Sequence, residues 1–105
     1  MKKIMLVCSA GMSTSLLVTK MEQAAEKVGD EVEIFALPMS DGINRLSTVD
    51  CVLLGPQVRF NLGKIKEEAA KVNPGLPVDV IDMKDYGLMN GANVLKKALE
   101  IVNNK

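Results

Sequence analysis

The chain has 105 residues, 48% apolar and 25% charged, and its thirteen basic side chains balance thirteen acidic ones. That length predicts one globular domain over residues 1–105, and zero net charge gives no general pull toward nucleic acid or an anionic membrane. The three aromatic residues, Phe35, Phe60 and Tyr86, are too few for a base-stacking platform.

No apolar run approaches the ~18 residues of a membrane span, and no signal-peptide cleavage pattern follows Lys2-Lys3, so the predicted location is cytoplasmic. Histidine and tryptophan are absent. The chain therefore supplies no imidazole base, no Cys–His or Ser–His–Asp pair and no histidine metal ligand, and two cysteines cannot build a Cys-rich zinc site. No metal or cofactor is expected. Chemistry falls to a thiol, hydroxyls, carboxylates, lysines or backbone amides.

In chain order, Ile4-Met5-Leu6-Val7 is apolar without alternation, as in a strand buried on both faces of a parallel sheet. Small and polar residues from Cys8 to Ser15 break it. A helix is expected from about Ser13, with Leu17, Met21, Ala24 and Val28 as its apolar stripe and Gly29 as its stop. Val32–Leu37 alternates at first, like an edge strand. Pro38–Leu46 reads as a loop with at most a short helix.

Cys51–Leu54 is a second fully apolar strand, closed by Gly55-Pro56. Leu62, Ile65, Ala69 and Val72 mark a helix that Asn73-Pro74-Gly75 ends. Val78–Ile81 is a fourth strand, Asp82–Asn90 a loop, and the residues from Gly91 to Val102 an amphipathic helix. This alternation predicts an α/β three-layer sandwich: a parallel sheet in the order 2-1-3-4, with helices on both faces.

Ligands of open α/β sheets bind beyond the carboxyl ends of the strands at the topological switch point, here between the first and third strands. Cys8 ends the first strand there. Gly11 lets the backbone approach a ligand closely. Successive N–H groups and the following helix N-terminus can converge on an anion. Ser9, Ser13, Thr14 and Ser15 offer hydroxyl donors, and a dianionic phosphoryl group matches in size and charge. A helix N-terminus also favours a cysteine's thiolate, the nucleophilic form. The bland alternative is a buried strand-end cysteine followed by an ordinary turn.

At Cys8-Ser9-Ala10-Gly11-Met12-Ser13-Thr14-Ser15-Leu16-Leu17 the sequence resembles the IIB component of the bacterial phosphoenolpyruvate-dependent sugar phosphotransferase system, in its lactose/cellobiose (N,N′-diacetylchitobiose) branch. Val52-Leu53-Leu54-Gly55-Pro56-Gln57, Val80-Ile81-Asp82 and Tyr86-Gly87 extend the match over nearly the whole chain. The resemblance implies a fold like that of low-molecular-weight tyrosine phosphatase. It implies a phosphotransferase in which Cys8 takes a phosphoryl group from a phosphohistidine of a IIA protein. The backbone of Ser9, Ala10, Gly11, Met12, Ser13, Thr14 and Ser15 would cradle that group. It would then pass to a sugar held by a IIC membrane permease: cellobiose, chitobiose, lactose or a related β-glucoside. A donor histidine and a membrane span then belong to other chains.

The rival reading is a low-molecular-weight tyrosine phosphatase, whose loop follows Cys-x5-Arg-Ser/Thr. Thr14 stands at the arginine position, and the only arginines are Arg45 and Arg59. Steady turnover of an aryl phosphate would mark that rival. A flavodoxin-type module lacks the aromatics to stack a flavin. Cys8 and Cys51 fall at opposite ends of adjacent parallel strands, roughly 15 Å apart, too far for a disulfide.

Four residues are read as facing partners. Met39 and Met83, with Met12 and Met89, follow strand ends on the Cys8 face, where flexible thioethers suit docking or simply plug gaps. Arg59 departs from the family's pattern, which has a small or apolar residue there; it reaches phosphate or an acidic partner, or is solvated. Tyr86 covers the loop or packs on the sheet edge. Asp82 and Asp85 are turn or capping residues, or contacts to a partner.

Overall fold

The computed structural model describes residues 1–8 and 12–103, with the backbone alone for Met12 and Ser13. The apolar run at the N-terminus is β1 (Lys2–Cys8), followed by α1 (Met12–Val28) and β2 (Val32–Pro38). After α2 (Met39–Ile43) and a 3-10 turn at Leu46–Thr48 come β3 (Cys51–Leu54), a 3-10 segment at Pro56–Asn61 and α3 (Leu62–Val72). The chain continues through β4 (Val78–Val80), α4 (Met83–Gly87) and α5 (Gly91–Asn103).

The strands form one parallel sheet in the order β2-β1-β3-β4, as the alternation of elements predicts. Successive side chains of a strand point to opposite faces, and both faces are covered here. Ile4 and Leu6 of β1, with Cys51 and Leu53 of β3, pack under Leu17, Met21 and Ala25 of α1 and Val94, Leu95 and Ala98 of α5. Met5 and Val7, with Val52 and Leu54, pack on the opposite side with Leu46, Val49, Ile65 and Ala69. A continuous apolar run is what a strand buried on both sides requires.

Three local details differ from the sequence expectation. The inner stripe of α1 ends on Ala25 rather than Ala24. Ala24 is half-buried, and Val28, in the last turn, is 70% exposed. Val72, the last residue of α3, is exposed as well. The expected loop after β4 contains the short helix α4. Asp82 caps it by accepting from the backbone N–H groups of Lys84 (2.9 Å) and Asp85 (3.2 Å).

The helices α1 and α5, side by side on one face of the sheet, meet closely at Gly91. A methyl group built there would lie 2.4 Å from the Lys20 carbonyl carbon and 2.6 Å from the Met21 nitrogen. Only a residue without Cβ lets the two backbones approach so far. On the other face, Asn73 holds the segment before β3 against α3: its side-chain amide donates to the Leu46 and Val49 carbonyls at 3.0 and 3.1 Å.

Candidate functional site

The register brings the carboxyl ends of the strands level. Cys8 pairs with Pro38 of β2, Val7 with Leu54 of β3, and Leu54 with Val80 of β4. Between β1 and β3 the chain leaves in opposite directions, so Cys8 stands at the switch point where α/β sheets place ligands. Three residues separate it from the first residue of α1. The first turn of α1 carries no acidic side chain to oppose its positive end.

Cys8 is 2% exposed. The expected phosphate-loop residues Ser9, Ala10 and Gly11, and the side chains of Met12 and Ser13, lie outside the described residues. Thr14 is 1% exposed, and its hydroxyl has no hydrogen-bond partner among the described residues. A buried hydroxyl without a partner costs stability, so this group calls for an acceptor. Ser15 is exposed, and its carbonyl accepts from the Thr19 hydroxyl at 3.3 Å.

Cys51 is distinct. It pairs with Ile4, four residues before Cys8, which puts the two cysteines roughly 13 Å apart along the strands. Both are free thiols. Burial, with smaller contributions from Asp79 and Asp50, pushes the Cys51 thiol up to about 12. It is a core residue that stays protonated and unreactive at neutral pH.

The side of Cys8 toward β3 is built from Gly55-Pro56-Gln57. The Gly55 N–H donates to the Val7 carbonyl at 2.8 Å, against the peptide that leads into Cys8. The Gln57 side chain donates to the Tyr86 hydroxyl at 2.8 Å, linking the segment after β3 to α4. Tyr86 itself is half-buried on the α1–α5 side of the core. The sequence reading noted Gln57 only as part of a motif; its signal was the Gly-Pro-Gln run itself.

Arg59 lies in the 3-10 segment rather than in α3, and its guanidinium donates to the Pro56 carbonyl of its own turn at 3.0 Å. Met39 is half-buried against the α2–α3 side of the core, and Met89 is half-buried under α5 with a φ of 51°. Met83 is exposed. The other large apolar side chains exposed near strand carboxyl ends are Leu16, Leu88 and Phe60, the last 80% exposed. None of these three was singled out from the sequence.

Asp85 is buried and serves the fold. The Asn93 amide donates to both its oxygens, at 2.9 and 2.8 Å, and Lys97 lies 3.3 Å away. The Asn93 hydrogen bonds, aided by Lys97 and opposed by burial, hold its carboxyl below the usual carboxylate range. A cleft bordered by Asp79, Asp82, Asp85 and Lys97 lies along β4 and α5 and contains no residue of β1. It is thus separate from Cys8. No grouping of three or more metal-ligating side chains occurs among the described residues, and none of the described helices is long and apolar enough to cross a membrane.

Comparison with known proteins places this geometry. Residues 3–97 match the family model described as "PTS system, Lactose/Cellobiose specific IIB subunit". The chain is 43% identical over 105 residues to the oligo-beta-mannoside-specific EIIB component of Bacillus subtilis, covering 100% of both chains. It is 47% identical over 107 residues to the galactose-specific EIIB component of Lactococcus lactis subsp. cremoris, covering 97% of each. The solution structure of a cellobiose-specific phosphotransferase IIB component from Borrelia burgdorferi superposes with a TM-score of 0.81 at 39% identity, covering 99% of this chain and 94% of that one. The sheet order and helix layers are those of such IIB domains, the fold also seen in low-molecular-weight tyrosine phosphatases. With its cysteine at the switch point and no arginine at position 14, the chain belongs to the lactose/cellobiose-specific IIB subunit family of the sugar phosphotransferase system and is a phosphotransferase.

Proposed function

We propose that the protein, as one IIB unit over residues 1–105, carries a phosphoryl group on Cys8 between a IIA phosphohistidine and a sugar bound by a IIC permease. It would do so at the cytoplasmic side of the membrane. The observation that carries this reading is Cys8 at the carboxyl end of β1, three residues before α1, in a chain of the IIB family.

In the first step the Cys8 sulfur attacks phosphorus. The P–N bond to the donor imidazole breaks, an S–P bond forms, and the proton lost by the thiol ends on the freed imidazole. In the second step a sugar hydroxyl attacks, an O–P bond forms, and the S–P pair returns to sulfur, which takes up the hydroxyl proton. Neither step needs a base on this chain. Positioning and hydrogen bonding to the phosphoryl oxygens supply the catalysis. The N-terminal N–H groups of α1 and the Thr14 hydroxyl, which has no partner among the described residues, are suited to that. A guanidinium clamp would stabilise phosphorus on its way to water. Thr14 in that place favours handing the group on, which is why the phosphatase reading gains no support.

Sugar identity stays at the level of a β-linked saccharide such as cellobiose, chitobiose or lactose. Relatives named for oligo-β-mannosides, galactose and cellobiose lie at comparable identity, 43%, 47% and 47%. That spread fits a carrier that meets its sugar only within the permease. The test is mass spectrometry after incubation with a phosphorylated IIA protein. One phosphate on the sulfur of Cys8, absent in Cys8→Ser, is the expected result; phosphorylation of Cys8→Ser at the wild-type rate would refute the assignment.

A further inference from the structure

Gly55 poses a question that its backbone does not answer. Its φ of −62° and ψ of 149° are open to any residue, so conformation does not require glycine. Space does. A methyl group built on Gly55 would lie 2.6 Å from the Gln57 side-chain oxygen, whereas the Val7 carbonyl, at 3.6 Å, is at ordinary contact distance. The missing Cβ thus makes room for one thing, the Gln57 amide folded back over residue 55.

That amide is held at its other end too, by the Tyr86 hydroxyl at 2.8 Å. Tyr86 is fixed in turn: its ring packs on the core, and its N–H donates to the carbonyl of the capping residue Asp82 at 2.9 Å. Gln57 is an exposed residue, so its hydrogen bond exchanges with water and adds only about 0.5–1.5 kcal/mol to stability. What the seated amide fixes is therefore geometry more than stability. The geometry lies beside Cys8, because the Gly55 N–H is bonded to the carbonyl of Val7, whose carbon carries the Cys8 nitrogen.

We infer that the Gln57 amide, seated on Gly55 and clasped by Tyr86, is a positioning element for phosphoryl transfer at Cys8. It fixes the Gly55–Gln57 turn against the Val7–Cys8 peptide and so sets the line along which the thiol meets phosphorus. The inference rests on Cys8 as the phosphoryl acceptor. Misplacing reacting atoms by an ångström costs on the order of a hundredfold in rate, so loosening this wall by a fraction of that distance costs about tenfold.

Three substitutions remove the same seated amide by different routes. Gly55→Ala displaces it, Gln57→Met deletes it at similar volume, and Tyr86→Phe frees it. Single-turnover phosphorylation by a phosphohistidine-bearing IIA protein, titrated to saturation, separates the maximal rate from the donor concentration for half-maximal rate. Each variant is expected to lower the maximal rate about tenfold and to leave the half-saturating concentration and the urea midpoint near wild type. The double variants Gly55→Ala/Tyr86→Phe and Gly55→Ala/Gln57→Met are expected to be no slower than the single ones, because they act through one group. Wild-type maximal rates in Gln57→Met and Tyr86→Phe would overturn the inference, as would losses that multiply in the doubles or appear only in half-saturation. If wild-type protein took no phosphate on Cys8, the carrier reading itself would fall; wild-type phosphorylation with unaffected variants would overturn the positioning role alone.

Discussion

Thr14→Val is expected to stabilise the protein and impair it. Thr14 lies in α1 with 1% of its surface exposed, and its hydroxyl is unpaired among the described residues. Stranding a buried hydroxyl costs about 1–3 kcal/mol. Valine keeps the branched shape and has a similar helix propensity, so the exchange relieves that cost without opening a cavity. The urea midpoint is expected to rise at unchanged slope, by an amount worth about 1–2 kcal/mol, or roughly 4–8 °C in melting temperature per kcal/mol. Function moves the other way. A hydrogen bond to a charged phosphoryl oxygen is worth about 1.5–3 kcal/mol, so losing it slows phosphoryl acceptance about ten- to a hundredfold. Urea unfolding and quenched-flow phosphorylation measure the two effects on one preparation. A drop in stability of more than about 1 kcal/mol would mean that the hydroxyl already has a partner in the resting protein, and the reasoning would fail. Wild-type phosphorylation kinetics would deny the hydroxyl its role at the phosphoryl group.

Iodoacetamide at pH 8 is expected to spare Cys51 in folded protein, because it is fully buried with its thiol pushed up to about 12; native Cys8→Ser that takes label would contradict this. For Asp85, depressed in the folded state, the stabilising contribution is complete above the unfolded carboxyl value of about 3.9 and is lost as pH falls through the folded value. Wild type is therefore expected to lose urea resistance more steeply than Asp85→Asn below pH about 4, the two curves converging in acid; parallel curves would dismiss the linkage. Gly91→Ala forces a carbon against the α1 backbone and is expected to cost about 1–3 kcal/mol, measured by thermal unfolding. Gly63→Ala, in α3 with no neighbouring atom within 4 Å, is expected to gain up to about 1 kcal/mol, and a loss there would show that the space is used.

The order of elements, the buried pair of central strands and the position of Cys8 were legible in the chain, because period and apolar runs are properties of neighbours in sequence. Ile4–Val7 and Cys51–Leu54 contain no polar residue, and only a two-sided sheet accommodates such runs. The choice of Ala25 over Ala24 for the inner stripe was not legible. It depends on how α1 sits against α5, which Gly91 admits closely. Asp85 looked like a residue for a turn or a partner, and only the packing of α4 on α5 shows it bound by Asn93 and Lys97. Gly55 and Gln57 are two residues apart, yet nothing in that spacing says that one is bare so that the other can fold over it toward Tyr86. Chain pattern decides which residues face a core. Which polar groups then meet across separate loops is decided by the register of strands far apart in sequence, and local physics carries no record of that.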